Sequence, residues 1–202
     1  MSLIAGLLSE AIQSFHNGNI EKSENLANQI INLDSRNSEA MHLYAAVLMQ
    51  KKKLDEAEVY VNKAISIDKK NPHYKNTLGN IFRLKGNFNQ AIKEYRKAIE
   101  INSGVEDFHN NLGITYNDIG DYKNAVFSYE KAIRLNPGFV MAYMNMGLTY
   151  DKLMQFDKAV ENIEKAASLK VGDSLIYHNL GVVCKNAYQL KKAIEYSKKA
   201  LR

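Results

Sequence analysis

NNLGITYNDIGDYKNAVFSYEKAIRLNP, residues 110–137, reads as two helices and the turn between them. Apolar residues recur at three- and four-residue steps from Val105 to Ile119 and again from Tyr122 to Leu135, the period of an α-helix. Gly120 lies between the two runs, as Gly86 and Gly18 do between theirs, where a helix C-terminus favours a left-handed residue. Asn136-Pro137 closes the stretch and Asn71-Pro72 stands at a matching boundary, since proline cannot continue a helix but opens one well. Gly113 carries the most information. Gly79, Gly113, Gly147 and Gly181 follow one another at steps of 34 residues, and Ala45 and Ala11 extend the series backwards. A fixed period of that length marks an array of one supersecondary unit.

In this register the chain is a single array over 1–202, with repeats 4–37, 38–71, 72–105, 106–139, 140–173 and a shortened 174–202. The eighth position of each repeat is Ala11, Ala45, Gly79, Gly113, Gly147 or Gly181. The twentieth is Ser23, Ala57, Ala91, Ala125, Ala159 or Ala193, and the twenty-seventh is Ile30, Ala64, Ala98, Ala132, Ala166 or Ala200. Small residues at fixed places on facing helices let the backbones approach, while large ones such as Tyr95 and Tyr129 fill the space beside them. The expectation is an all-α helix-turn-helix solenoid.

These repeats resemble the tetratricopeptide repeat, whose pattern runs aromatic, Leu-Gly, Tyr, Ala, an aromatic, Ala and Pro. Tyr143, Met146-Gly147, Tyr150, Ala159, Ile163 and Ala166 match it in the fifth repeat. The resemblance covers essentially the whole chain and implies a right-handed α-α superhelix of tandem tetratricopeptide units. Departures are local. Lys75 and His109 replace the fourth-position aromatic, and the first repeat, with Leu7, Glu10 and Ser14, is the weakest match. Lys52, Met154 and Tyr188 replace the turn glycine, so those turns either change geometry or carry a small strain.

Two prolines, no tryptophan and a charged fraction of 24% suit a soluble helical protein. No apolar run approaches the roughly 18 residues that span a membrane. Met1 to Phe15 lacks a basic start and has helical spacing, which argues against a signal peptide. The single cysteine, Cys184, excludes internal disulfides, fits the cytoplasm, and stands at a packing position. A net charge of +5 raises the question of nucleic acid, but the lysines are interleaved with Asp and Glu, the pattern of a solvated surface. Motifs for catalysis, cofactors and paired metal ligands are absent, so the reading is non-enzymatic, with no cofactor and no metal site.

Function is therefore expected from the inner wall, which the family resemblance assigns to the first helix of each repeat. His42, His73 and His178 fall there, poised for ligand contact or plain solvation. The middle of the wall is polar, with Asn76, Asn80 and Arg83, then Asn110 and Asn111. Towards the C-terminal end it becomes mixed, with Met141, Met144 and Leu148 beside Asn145 and His178. Asn111, Asn145 and Asn179 recur at the sixth position, and a side-chain amide can pair with an extended peptide backbone; the alternative is contact with water or a neighbouring helix. Ile114, Leu148 and Val182 recur at the ninth, offering apolar pockets or packing between helices. A carboxylate clamp of the kind found in chaperone cofactors of this family would fall on Asn76, Asn80, Asn111, Met141 and Asn145, where its cations are missing.

The leading expectation is an adaptor that binds a peptide or helical segment of a protein partner in a concave groove. Two alternatives accompany it, a self-assembling homo-oligomeric scaffold and the substrate-recruiting part of a larger enzyme such as a glycosyltransferase. The shortened last repeat would leave Ile194, Ala200 and Leu201 partly bare, consistent with a fragment of a longer protein or with ends covered by self-association.

Overall fold

The computed structural model describes residues 3–201. The terminal positions Met1, Ser2 and Arg202, and with them the reading of where the chain starts and stops, lie outside the described residues. Within the described residues the fold is all-α, with twelve helices. The chain forms two compact halves, one through Ser103 and one from Gly104.

The first half contains α1 (Leu3–His16), α2 (Ile20–Leu33), α3 (Ser38–Gln50), α4 (Leu54–Ile67), α5 (Pro72–Leu84) and α6 (Phe88–Ile101). The second contains α7 (Glu106–Asp118), α8 (Tyr122–Leu135), α9 (Val140–Lys152), α10 (Phe156–Leu169), α11 (Ser174–Asn186) and α12 (Leu190–Ala200). In each half consecutive helices pack as hairpins, and each hairpin stacks on the next in chain order.

The small residues sit at the helix crossings. Ala45, Ala57 and Ala64 are fully buried in the first half, and Ala125, Ala132, Ala159 and Ala166 in the second. A Cβ on Gly79 would lie 2.6 Å from Tyr95 Cε1, and on Gly147 2.5 Å from Ile163 Cγ1. In the first five repeats the eighth position is smaller where the facing residue is larger. Where alanine stands there, in Ala11 and Ala45, the twenty-fourth residue is Ala27 or Val61; where glycine stands in the third to fifth repeats, it is Tyr95, Tyr129 or Ile163. Close packing at crystal-like density leaves no room for both to be large.

The six turns within the hairpins share one geometry. Gly18, Gly86 and Gly120 have φ near +80°, and Lys52, Met154 and Tyr188 hold φ of 60°, 59° and 58° in the same place. The residue after each donates back five positions, as Asp121 N–H does to Tyr116 O at 2.9 Å and Gln189 N–H to Cys184 O at 2.8 Å, the longer bond of a Schellman cap. Of the two outcomes open for the glycine-less turns, the left-handed conformation with its strain is the one found.

The two prolines part company. Pro72 opens α5, with Asn71 Oδ1 accepting from His73 N–H at 3.0 Å. Pro137 lies instead in the link between α8 and α9, where Asn136 Oδ1 accepts from Gly138 N–H at 3.0 Å, and α9 begins only at Val140.

Candidate functional site

Within each half, first helices of neighbouring repeats are joined by polar contacts between residues 35 apart. In the first half His42 Nε2 lies 2.7 Å from Thr77 Oγ1, with its ring 4.8 Å from that of Tyr74. Burial, and then the nearby His73, pushes the His42 imidazole down to about 4, so the ring is neutral at physiological pH. On α5 of the same half, Asn76, Asn80 and Arg83 are half-buried, and Asn80 Oδ1 accepts from Tyr95 Oη at 2.7 Å. His42 is thus a packing residue, where its position on the wall had suggested ligand contact or plain solvation.

In the second half α7, α9 and α11 stack in order and carry the remaining wall residues. Asn145 Nδ2 donates to Asn110 Oδ1 at 3.1 Å, and Asn110 is 6% exposed. Asn179 Nδ2 lies 3.6 Å from Met144 Sδ, a weak contact, with Met144 also 6% exposed and part of the core. Further along the helices Asn186 Nδ2 donates to both oxygens of Asp151, at 3.0 and 3.1 Å. Asn110 and Met144 therefore lie beneath the surface. Asn111, Ile114, Asn145, Leu148 and Asn179 are half-buried, whereas Met141, His178 and Val182 are exposed.

The resulting surface carries apolar and amide groups and no cluster of acid, base or nucleophile. Among the described residues no group of His, Cys, Asp and Glu could hold a metal ion, and no helix is long and apolar enough to cross a membrane. Cys184 is fully buried, and burial pushes its thiol up, away from the reactive thiolate. Of the turn lysines, Lys51 pairs with Glu24 at 2.6 Å and Lys85 with Asp55 and Glu58 at 2.7 Å each.

Stacked helical hairpins with an amide-lined face define a helical-repeat interaction scaffold. A TPR repeat model matches residues 79–119, and tetratricopeptide repeat models match 14–81, 106–139 and 128–161. The chain belongs to the tetratricopeptide repeat family, whose arrays are in general non-catalytic scaffolds for protein–protein interaction. A search of curated proteins finds no match. Among solved structures, MamA is 28% identical, with a TM-score of 0.68 over 78% of this chain and 92% of that one. PilW, a type IV pilus biogenesis factor, is 17% identical with a TM-score of 0.87 over 97% and 91%. YrrB, a TPR protein with an unusual peptide-binding site, is 20% identical with a TM-score of 0.63 over 87% and 90%.

Proposed function

We propose that this chain is a non-enzymatic adaptor whose second half binds an extended or helical protein segment across the first-helix face of α7, α9 and α11. The observation that carries the reading is the exposure of Met141 at 46% and Val182 at 44% on the face that holds Asn145 and Asn179. Exposed apolar groups beside polar ones are the usual composition of a protein-binding surface. Methionine, unbranched and polarisable, adapts to varied partners. The contacts of Asn145 and Asn179 to the neighbouring helix are donated by the amide nitrogen, which leaves each carbonyl oxygen to accept a peptide N–H. Each such bond contributes about 0.5–1.5 kcal/mol net. Within the first half, Asn76, Asn80 and Arg83 form a first-helix surface of their own on α5. The description of YrrB as peptide-binding agrees with the class of ligand, at a likeness that reaches only the fold.

The test is selection from a random 15-residue phage-displayed library against the whole chain, followed by calorimetry with the selected synthetic peptides. Met141→Glu with Val182→Glu, both on exposed positions, should weaken the selected peptides at least tenfold and leave the melting temperature unchanged. Selected peptides that bind the double variant as tightly as the parent would sink the reading.

A further inference from the structure

The outward face of α8 departs from that of every other repeat. Lys123, Phe127, Lys131 and Arg134 are exposed and fall at i, i+4, i+8 and i+11, along one side of the helix. Phe127 is 55% exposed, and Lys131 Nζ stands 5.4 Å from the centre of its ring. The corresponding positions of the other repeats each include a carboxylate: Glu21, Asp55, Glu100, Asp157 with Glu161, and Glu195. Those of α8 include none. This face is not one that a following repeat covers. In α10, packed between α9 and α11, the matching Asp157, Glu161, Lys165 and Ser168 are exposed as well.

The acids nearest in sequence are engaged elsewhere. Asp121 caps the helix, accepting from Asn124 N–H at 3.2 Å and from Asn124 Nδ2 at 2.7 Å. Glu130, the one acid within α8, is half-buried and acts on Tyr150 of α9, whose hydroxyl is pushed up by burial and then by Glu130 and Glu161. Among the described residues Lys123, Lys131 and Arg134 have no carboxylate partner, whereas Lys85 meets Asp55 at 2.7 Å and Lys192 meets Glu164 at 3.0 Å.

We infer that this face docks an acidic helix of a partner protein, laid along α8 with an apolar side chain over Phe127 and carboxylates opposite Lys123 and Lys131. Opposite charge steers association and fixes register, and no acid on this face opposes an anionic partner. The spacing sets the shape. At a rise of about 1.5 Å per residue, Lys123 and Lys131 are about 12 Å apart along the axis with Phe127 midway, the separation of i and i+8 on a second helix. An extended segment would meet no free backbone edge on α8, whereas a helix arrives with its own backbone bonds made. A second copy of the chain is a poor occupant, because nowhere in its sequence do two acids stand eight residues apart.

The probe is a lactam-stapled, alanine-based helix with Glu, Leu and Glu at i, i+4 and i+8, titrated into the isotope-labelled whole chain and followed by amide chemical shifts. The shifts should be confined to α8, and binding should be about tenfold tighter than for the same helix with Lys, Leu and Lys. Lys123→Glu with Lys131→Glu, both at exposed positions, should reverse that preference. Phe127→Ser should weaken the acidic helix several-fold and leave the melting temperature unchanged. The Met141→Glu, Val182→Glu variant should bind the probe like the parent, which separates this surface from the first-helix face. Absence of binding, shifts outside α8, or indifference to the charge exchange would overturn the inference. Tighter binding of oligothymidylate or of phosphatidylserine vesicles through the same three cations would also overturn it, in favour of a nucleic acid or a membrane.

Discussion

Gly113 and Tyr129 fit only as a pair, because a Cβ on Gly113 would stand 2.6 Å from Tyr129 Cε1 and 2.8 Å from Cδ1. Tyr129 is 1% exposed and has nowhere to withdraw. Alanine would add about 1 kcal/mol of helix propensity, but overpacking a filled core costs about 1–3 kcal/mol. Gly113→Ala is therefore expected to destabilise in urea unfolding. Adding Tyr129→Val, which recreates the Ala45–Val61 combination of the second repeat, should cost less than the sum of the two single changes, by about 0.5 kcal/mol or more. Additive single effects would show that the two positions are not coupled.

Tyr188 holds a left-handed φ of 58° while its side chain is 87% exposed, so its removal loses little packing. A side chain in that conformation costs about 1–2 kcal/mol, and glycine gives back about 0.4–1 kcal/mol through the unfolded chain. Tyr188→Gly is expected to raise the melting temperature and Tyr188→Ala to leave it nearly unchanged, since alanine keeps the strain. Equal effects from the two substitutions would locate the cost elsewhere.

Ser23 is fully buried and its Oγ has no hydrogen-bond partner. The same place in the next five repeats is alanine. An unsatisfied buried hydroxyl costs about 1–3 kcal/mol, so Ser23→Ala should stabilise by about 1 kcal/mol in denaturant titration. A destabilised variant would show that the hydroxyl is satisfied in solution.

His42, neutral in the fold and pushed down from 6.5 to about 4, binds fewer protons folded than unfolded. Its contribution is complete above pH 6.5, falls as pH drops from 6.5 to 4, and is level below that; the loss is on the order of 3 kcal/mol. His42→Gln should flatten the difference in stability across that window when the two proteins are compared by urea titration at each pH. A parallel pH dependence for parent and variant would contradict the buried neutral ring.

The helices were legible in the sequence because small residues recur at one period while apolar residues recur at another. The expected runs Val105–Ile119 and Tyr122–Leu135 become α7, Glu106–Asp118, and α8, Tyr122–Leu135. The wall was harder to read. Asn145 carries the same six-position label as Asn111, but the label does not say that its amide nitrogen turns sideways to Asn110. Nor does the ninth-position series separate half-buried Leu148 from exposed Val182. Burial there is set between neighbouring helices, a relation that periodicity within one helix does not contain.

The lateral contacts His42–Thr77, Asn110–Asn145, Met144–Asn179 and Asp151–Asn186 all join residues 35 apart. Such bonds join adjacent repeats, so a gene duplication or deletion of whole 34-residue blocks keeps each of these positions facing its counterpart on the next first helix. An insertion of any other length rotates the amides off their mates. Length in this architecture can therefore be inherited in quanta.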